Sequence, residues 1–490
     1  MAPSRILSVA RRAAVVAGVI GLVLSAASTA LALVPVNQIS TDPYTNTTSY
    51  HQTQVEPDSY SFGSTIVATF QSGRFSNGGS SNLGWATSTD NGATWTHGFL
   101  PGTTVYATPA GPWARISDPA VAYDPKHAVW VIEGLVLDNS LNGAGVVASR
   151  SLDGGLTWQS PVNVSTTFPS YDKSWIACDT TSTSAFYGNC YVEVDDPSSG
   201  GLLHLFRSTN GGTSWTASSA PGSLVLGGQP LVQPNGTVVV PLQGGSGIAS
   251  FVSTNGGSSY TGPHNISTLS FHTPAGGVRN GLGMPSAEVD GAGTVYTSWS
   301  DCRFRTGCPA NDIVFSTSSD GVTWSAVQRI PAVATSSAAD LFIPGFGVDH
   351  STSGTSAHLG VGFFFYPNGS CSTSTCKLDV GFISSTNAGT TWSSPKVLLG
   401  PISLTGLPST TLGYMTGDYM STSFGSNGRA YPVFAAATGS SCQLGSITSC
   451  HESMYTSKNG LAIVGGTHPA TSGPELFSGP AFTLAGRTAF

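Results

Sequence analysis

A short motif recurs along this 490-residue chain at nearly even spacing, and it limits the fold more than any other feature. Its pattern is Ser-x-Asp/Asn-x-Gly-x-Thr/Ser-aromatic, with one copy a residue shorter, and its six good copies begin at Ser88, Ser151, Ser208, Ser253, Ser318 and Ser385. A degenerate copy without its Trp begins at Ser457. The spacing from Asp90 to Asn459 averages about 61 residues, a period typical of repeat architectures.

The residue types of the motif point to a structural role. An Asp or Asn after a strand accepts hydrogen bonds from the backbone of its own turn, and Gly supplies the positive φ that such a turn needs. The Trp buries a large apolar surface on its neighbours. The motif therefore predicts a turn at a fixed place in each repeat, not a catalytic group.

Each repeat also carries short runs of β-forming residues separated by Gly, Pro and Asn, such as Ala128–Ile132 and Thr294–Trp299. Such runs predict antiparallel strands, and four strands per repeat, repeated radially, predict an all-β fold, a β-propeller of four-stranded antiparallel blades. We assign the blades near 54–100, 116–165, 174–220, 228–268, 284–331, 341–400 and 414–465. Seven blades are preferred and six are possible, with 36–53 or 466–490 as candidates for the strand that closes the ring.

Residues 1–32 have the pattern of a secretory signal peptide. Arg5, Arg11 and Arg12 precede the apolar run 13–27, and Ala30-Leu31-Ala32 gives a small-x-small cleavage pattern. The alternative is an N-terminal membrane anchor, but the run is short for a spanning helix. We expect a secreted protein in which 33–490 form a single propeller domain.

The eight cysteines fall into four close pairs, and each pair brackets a Gly/Ser/Thr-rich stretch. The spacing does not match zinc-binding knuckles, and an even count on an exported chain favours disulfides. The predicted bonds are Cys178–Cys190, Cys302–Cys308, Cys371–Cys376 and Cys442–Cys450.

Composition narrows the range of partners. Only 9% of residues are charged and the formal net charge is −7, which argues against nucleic acid and anionic membrane surfaces as partners. There is no second long apolar run, so we expect no membrane association after signal cleavage, and we expect a monomer.

The Ser-x-Asp-x-Gly-x-Thr-Trp series resembles the Asp-box, or BNR, repeat of the sialidase-like β-propellers, over nearly all of the mature chain. Two further stretches, Ser298-Trp-Ser-Asp301-Cys-Arg303 and Gly417-Asp418-Tyr419, look like those of secreted sialidase-like proteins. The resemblance implies the propeller fold. It also implies an extracellular protein that acts on or binds glycans or glycoconjugates.

The same resemblance implies a catalytic site of the exo-α-sialidase type, in which three Arg hold a substrate carboxylate, an Asp acts as acid/base and a Tyr–Glu pair supplies the nucleophile. The Arg candidates are Arg115, in Arg115-Ile-Ser-Asp118, and Arg303. Arg279 and Arg429 are the remaining loop candidates. The other catalytic candidates are Asp118, Asp172, Glu288 and Tyr414.

Polar residues also recur just before the first strand of several repeats, where a propeller would bring them to one channel mouth: Glu56, Asp58, Asp118, Asp172, Lys173, Gln229, Asp340 and Asp418. Carboxylates around a channel suit Ca²⁺ or sugar hydroxyls, so Asp118, Asp340 and Asp418 are candidate Ca²⁺ ligands. The alternative is that each residue caps a local turn. No other cofactor motif is present.

Three functions stay open at this point. The chain is a secreted exo-glycosidase of the sialidase type, a non-catalytic propeller that binds glycan or protein at the cell surface, or a structural protein without a small ligand. Aromatic residues expected in mouth loops, such as Trp175 and Tyr419, favour contact with sugars.

Overall fold

The computed structural model describes residues 34–165, 171–197, 200–245, 247–446 and 450–472, so the predicted signal peptide, 1–32, lies outside the described residues. The described chain is all-β, as predicted. Its helices are four single 3₁₀ turns, Ala275–Gly277, Gly281–Gly283, Gly354–Ser356 and Leu404–Gly406. None of these described helices is long and apolar enough to cross a bilayer.

Most strands belong to seven sets of four antiparallel strands, which we call sheets 1 to 7 in chain order of their first strands. Sheet 1 contains Gln54–Phe62, Thr65–Arg74, Ser80–Ser88 and Thr96–Phe99. Sheet 2 contains Arg115–Asp124, Val129–Leu137, Gly143–Ser151 and Val162–Ser165, and one bridge, Ser80 to Ile116, joins it to sheet 1. Sheet 3 contains Asp172–Cys178, Cys190–Asp196, Leu202–Ser208 and Thr216–Ala217.

The first strand of sheet 4 is split in two, and the sheet contains Val225–Leu226, Leu231–Val232, Val238–Gly244, Gly247–Ser253 and Thr261–Thr268. Sheet 5 contains Ser286–Val289, Val295–Asp301, Asp312–Ser318 and Gln328–Arg329. Sheet 6 contains Asp340–Val348, Leu359–Tyr366, Lys377–Ser385 and Lys396–Ser403. Sheet 7 contains Ser421–Phe424, Arg429–Ala437, Glu452–Ser457 and, from the other end of the chain, Val36–Gln38.

Six short strands pair at the margins of these sheets. Leu461–Ala462 pairs with Arg429–Ala437, and Thr471–Ser472 pairs with Gln328–Arg329. The other four form two small ribbons, Thr391–Trp392 with His468–Pro469, and Ser409–Thr410 with Gly413–Tyr414.

The first strands of the sheets contact one another in a cycle. Each packs against the first strand of the next sheet, and that of sheet 7 packs against that of sheet 1. Side chains on these strands join neighbouring sheets, because Asp58 Oδ2 accepts a hydrogen bond from Val121 N at 2.8 Å and Gln229 Oε1 accepts one from Ala287 N at 2.8 Å. These two strand-start polar residues therefore hold backbone of the following sheet.

The hydrophobic core lies between the faces of neighbouring sheets. Between sheets 2 and 3, for example, the buried side chains of Val131, Val146, Ile176 and Val192 pack into one cluster. Burying a side chain of this size contributes about 1.5–3 kcal/mol relative to leaving it in water. The alternating apolar residues of the repeats thus supply two buried faces per sheet.

The repeated motif lies in the turn between the third and fourth strands, as its chemistry predicts. In sheet 1, Asp90 accepts hydrogen bonds from Thr94 N at 2.9 Å and Thr94 Oγ1 at 2.6 Å, while Ser88 Oγ accepts one from Gly92 N at 2.7 Å. The hydrogen bonds satisfy the turn backbone, and Trp95 Nε1 donates to Gly92 O at 3.2 Å.

The four predicted disulfides are confirmed, and no cysteine in the described chain is free. Their Cα–Cα separations lie between 3.9 and 5.0 Å. The Cys178–Cys190 bond joins the first two strands of sheet 3 at a directly paired position, so it encloses the turn between them. Each bond therefore joins residues that are close in sequence.

Candidate functional site

The first strands of four sheets carry a β-bulge near their starts. The register shifts in sheets 1, 2, 3 and 6, and a residue with positive φ stands in each bulge: Glu56 (54°), Asp118 (45°), Lys173 (36°) and Ile343 (53°). A bulge leaves its extra residue unpaired and re-aims the side chain. Glu56, Asp118 and Ile343 directly precede Pro, which has no backbone N–H to donate and therefore favours a break in the pairing there.

This geometry brings together five charged side chains, which we call the ion cluster: Glu56, Asp118, Lys173, Arg279 and Asp418. Lys173 Nζ lies 2.7 Å from Asp118 Oδ1, 3.1 Å from Glu56 Oε1 and 3.1 Å from Asp418 Oδ2. Arg279 binds Asp418 through two nitrogens, with Nε 2.8 Å from Oδ1. All five residues are at least nine-tenths buried.

The cluster shifts the ionisation of its members. Burial alone would lower the pKa of Lys173, but the carboxylates of Asp118, Asp418 and Glu56 outweigh it and raise that pKa. Burial raises the pKa of Glu56 against the opposing pull of Lys173, whereas Lys173 and its hydrogen bond hold the pKa of Asp118 low in spite of burial. The charges thus neutralise one another inside the protein.

The ion cluster leaves little room for a ligand. The cavity beside Lys173 and Asp418 measures about 30 Å³, the volume of one water molecule. The arrangement does not suit the expected Ca²⁺ either, because the Lys173 ammonium group stands between Asp118 and Asp418. The third candidate ligand, Asp340, instead contacts His272 Nδ1 at 2.9 Å and Asn311 N at 2.7 Å.

The two arginines expected to share a substrate carboxylate have separate partners. Arg115 Nη1 donates to Asn77 Oδ1 at 2.8 Å and to Gly78 O at 2.7 Å, and its guanidinium lies 3.8 Å from the centre of the Phe75 ring. Arg303 is buried and pairs with Asp301, two residues away, with Nη2 2.7 Å from Oδ2. The described contacts of Arg115 and Arg303 have no residue in common.

The remaining catalytic candidates are also dispersed. The carboxylate of Asp172 accepts a hydrogen bond from Lys173 N at 3.1 Å. The carbonyl of Tyr414 accepts one from Arg279 N at 2.7 Å, just before the start of sheet 7. Glu288 lies towards the other end of a first strand, where its Oε2 is 3.2 Å from His350 Nε2. Of the catalytic and Ca²⁺ candidates, the ion cluster therefore unites Asp118 and Asp418, together with the strand-start residues Glu56 and Lys173 and the loop candidate Arg279.

Two cavities open where the first strands end, on the opposite side from the ion cluster; we call them together the mouth. The first, about 250 Å³, is lined by residues of sheets 1 to 5 that include Trp175 and Thr181. The second, about 320 Å³, is lined by the turns of sheets 1, 6 and 7, including Phe62, Ser351 and Ser423. Four residues line both cavities: Tyr60, Thr180, Glu288 and His350.

The shared residues form a connected group. Desolvation by the surrounding protein tends to lower the pKa of His350, but the hydrogen bond and charge of Glu288, with Asp349 and Asp290 beyond it, raise that pKa overall. The Tyr60 ring lies 6.3 Å from the His350 ring in an edge-to-face arrangement. Burial and the charge of Glu288 raise the pKa of Tyr60, so its hydroxyl stays protonated and can donate.

Two further acids are buried, and no cation is among the contacts that the structure describes for them. Glu133 and Glu193 are fully buried on the second strands of sheets 2 and 3. Burial, with further contributions from neighbouring carboxylates, raises the pKa of both well above the usual range. Gly228 leaves room for the Glu193 carboxyl group, because a Cβ added at this position would lie 2.5 Å from the carboxyl carbon and the side chain of Glu193 would have to shift.

Tyr60, Thr180 and His350 escape sequence reasoning. Each follows or ends a first strand, in the turns that lead to the second strand. Their position is the only signal in the sequence, because each lies near the end of the first strand of its repeat. The polar residues singled out from the sequence lie instead at the starts of the first strands.

No protein-family model and no curated protein matches this chain. Solved structures that it resembles include the Hadza microbial sialidase Hz136, at 19% identity and a TM-score of 0.43, over 64% of this chain. The chain spans 64% of that sialidase, less than two thirds of its length. A protein of unknown function from Dyadobacter fermentans is 18% identical over 72% of this chain and 99% of its own, with a TM-score of 0.44. The intramolecular trans-sialidase from Ruminococcus gnavus, bound to oseltamivir carboxylate, is 12% identical over 66% of this chain and 93% of its own, with a TM-score of 0.44.

Proposed function

We propose that this chain is an extracellular, non-catalytic β-propeller of seven blades that binds a neutral saccharide at the mouth. The observation that carries the proposal is the chemistry of the two cavities. They present aromatic rings, hydroxyl groups, carboxylates and one His, and no Lys or Arg lines either of them in the part of the chain that the structure describes.

The seven sheets and the cycle of contacts between their first strands support a closed ring. In such a ring the first strands surround a channel, the ion cluster plugs one end and the mouth is the other. The four disulfides support an oxidising, extracellular compartment.

The mouth suits sugar hydroxyl groups. Carboxylate oxygens such as those of Glu288 accept hydrogen bonds from hydroxyls, while Thr180 and the protonated Tyr60 hydroxyl both donate and accept. Trp175 and Tyr60 offer aromatic surface to the apolar face of a sugar ring. The negative charge of Glu288, Asp290 and Asp349 at the mouth opposes an anionic sugar.

Sialoside hydrolysis is disfavoured by the state of the arginines. A sialidase site needs guanidinium groups that are free to bind a carboxylate, yet Arg115, Arg279 and Arg303 are already engaged. If Arg279 turned away to bind a substrate, the buried Asp418 would lose this ion pair. Breaking a buried ion pair costs about 3–5 kcal/mol.

Titration calorimetry of the exported chain with neutral and sialylated oligosaccharides tests the proposal. We expect saturable binding of neutral oligosaccharides, at least tenfold tighter than that of 3′-sialyllactose. The variant His350→Ala should lose most of this binding. His97→Ala, an exposed histidine that contacts Thr41 on the edge of sheet 1, is the matched control and should bind like the wild type.

A second measurement covers hydrolysis. The purified protein should release no 4-methylumbelliferone from its sialoside. Release that disappears in both Arg279→Ala and Arg303→Ala would overturn the proposal in favour of a sialidase, and so would preferential binding of the sialylated ligand.

A further inference from the structure

The two cavities of the mouth adjoin rather than merge. They share Tyr60, Thr180, Glu288 and His350; the other residues that line the first cavity come from sheets 1 to 5, and those that line the second come from sheets 1, 6 and 7. The pair formed by Glu288 and His350 therefore stands between them, with 3.2 Å from Oε2 to Nε2. A ligand that fills both cavities must pass over this pair.

Each cavity is small. The first cavity, about 250 Å³, lies just below the ~300–1,000 Å³ range of ordinary ligand pockets, and the second, about 320 Å³, lies at its lower end. A space of this size holds a single sugar ring, and a ligand that occupies both cavities places a ring in each. The shared side chains then face the linkage between the two rings, where carboxylate, imidazole and hydroxyl groups can hydrogen-bond to both.

The second cavity has an aromatic wall of its own. Phe62 lines it, yet its side chain is 42% exposed, unusual for a Phe in a chain whose other large rings are mostly buried. The Phe62 ring centre lies 4.5 Å from that of Tyr123, and Tyr123 lies 4.9 Å from Trp130. Phe62 thus packs on Tyr123, which in turn packs on Trp130, and part of the Phe62 ring stays exposed to solvent.

We propose that the two cavities are adjoining subsites for one linear neutral oligosaccharide, and that Phe62 is the stacking platform of the second subsite. The inference rests on the proposed function, and it deepens that function by assigning the ligand class. The mouth recognises a segment of at least two linked sugars, not a single terminal residue. Shared residues at the boundary couple the subsites, so occupancy of one orients the ring in the other.

Binding as a function of chain length tests the inference. The probes are manno-, cello-, xylo- and chito-oligosaccharides of one to six residues, titrated into the exported chain by calorimetry. For the series that binds, affinity should rise at least tenfold between one and three residues and then level off. Phe62→Ala should remove most of this gain.

Leu444→Ala is the matched control, since Leu444 is 50% exposed and lies in the Cys442–Cys450 loop at the other end of the sheets. It should leave the length dependence unchanged. If the monosaccharide binds as tightly as the longer chains, the subsite inference is overturned and the proposed function stands. If no member of the panel binds, or if oligolysine binds in their place, both are overturned.

Discussion

Lys173 Nζ lies 2.7 Å from Asp118 Oδ1 although the two residues belong to different sheets, and both side chains are almost fully buried. Each residue reaches the other from a bulge with positive φ. The contact joins the starts of sheets 2 and 3, and through Glu56 and Asp418 it extends to sheets 1 and 7. A single ammonium group therefore links four sheets at one end of the molecule.

Replacing this ammonium group should destabilise the protein strongly. In Lys173→Met, Glu56, Asp118 and Asp418 lose a shared counter-ion, and we expect a loss of about 3–5 kcal/mol in the free energy of unfolding at pH 8. The loss should shrink at pH 5, because protonation of a carboxylate relieves the unpaired charge. Urea denaturation at both pH values measures this. The control Lys377→Met removes an exposed lysine and should cost little; an equal cost in both variants would contradict the prediction.

The buried acid Glu193 should make stability fall as the pH rises. Its pKa is raised in the folded state, so it is protonated there but ionised in the unfolded chain above its ordinary pKa of about 4.3. Folding then takes up a proton, and stability is lost with increasing pH until the folded pKa is reached. Glu193→Gln removes this term, so the variant should gain on the wild type by up to about 1.4 kcal/mol per pH unit above pH 5. Parallel stability curves for the two proteins between pH 5 and 8 would refute the assignment.

The repeated turn motif should affect stability but not binding. Asp153 Oδ1 accepts hydrogen bonds from Thr157 N at 2.9 Å and Leu156 N at 3.2 Å, so Asp153→Ala should cost about 1 kcal/mol. Asp153→Asn is the matched control, because Asn210 accepts the equivalent bond from Ser214 N at 3.1 Å in another copy. The Asn variant should lose less. Weaker saccharide binding by a still-folded Asp153→Ala protein would count against a purely structural motif.

The Cys178–Cys190 bond should support the mouth. It encloses the turn that carries Thr180 and Thr181, which line the first cavity. Replacing both cysteines with Ala should lower the free energy of unfolding by about 2–3 kcal/mol and weaken saccharide binding. The double replacement of Cys371 and Cys376 serves as the comparison, since that bond lies between the second and third strands of sheet 6, at the end away from the mouth. Equal effects of the two replacements on binding would exclude this role.

Local features of the fold could be predicted from the sequence, whereas the partners of the site residues could not. The motif at Asp90 and its copies fixes a turn through bonds within a few residues, so its position follows from spacing alone. The sequence leaves open whether the strand-start residues converge or cap local turns, and the structure brings Glu56, Asp118, Lys173 and Asp418 together. The sequence interpretation groups Lys173 with the polar residues, so it does not predict that this lysine is the counter-ion of the three carboxylates.

The arginines illustrate the converse error. The resemblance implies that Arg303 binds a substrate carboxylate. In the structure its guanidinium group is bound by Asp301, only two residues away. Conversely, Glu288 and His350 meet although 62 residues separate them, and nothing in either local sequence indicates the contact. Hydrogen bonds between residues close in sequence can be predicted from the sequence, whereas contacts between sheets depend on the arrangement of the whole chain.

The strand Val36–Gln38 has a consequence for how the protein is made. It pairs with Glu452–Ser457, more than four hundred residues later, so the earliest strand gains its partner only after the last sheet has been synthesised. A chain that stops early leaves this strand without its partner and leaves the first strand of sheet 1 without the neighbour that sheet 7 provides. Such open edges bind other chains or proteases. Truncated chains therefore expose strand edges that the full-length protein pairs.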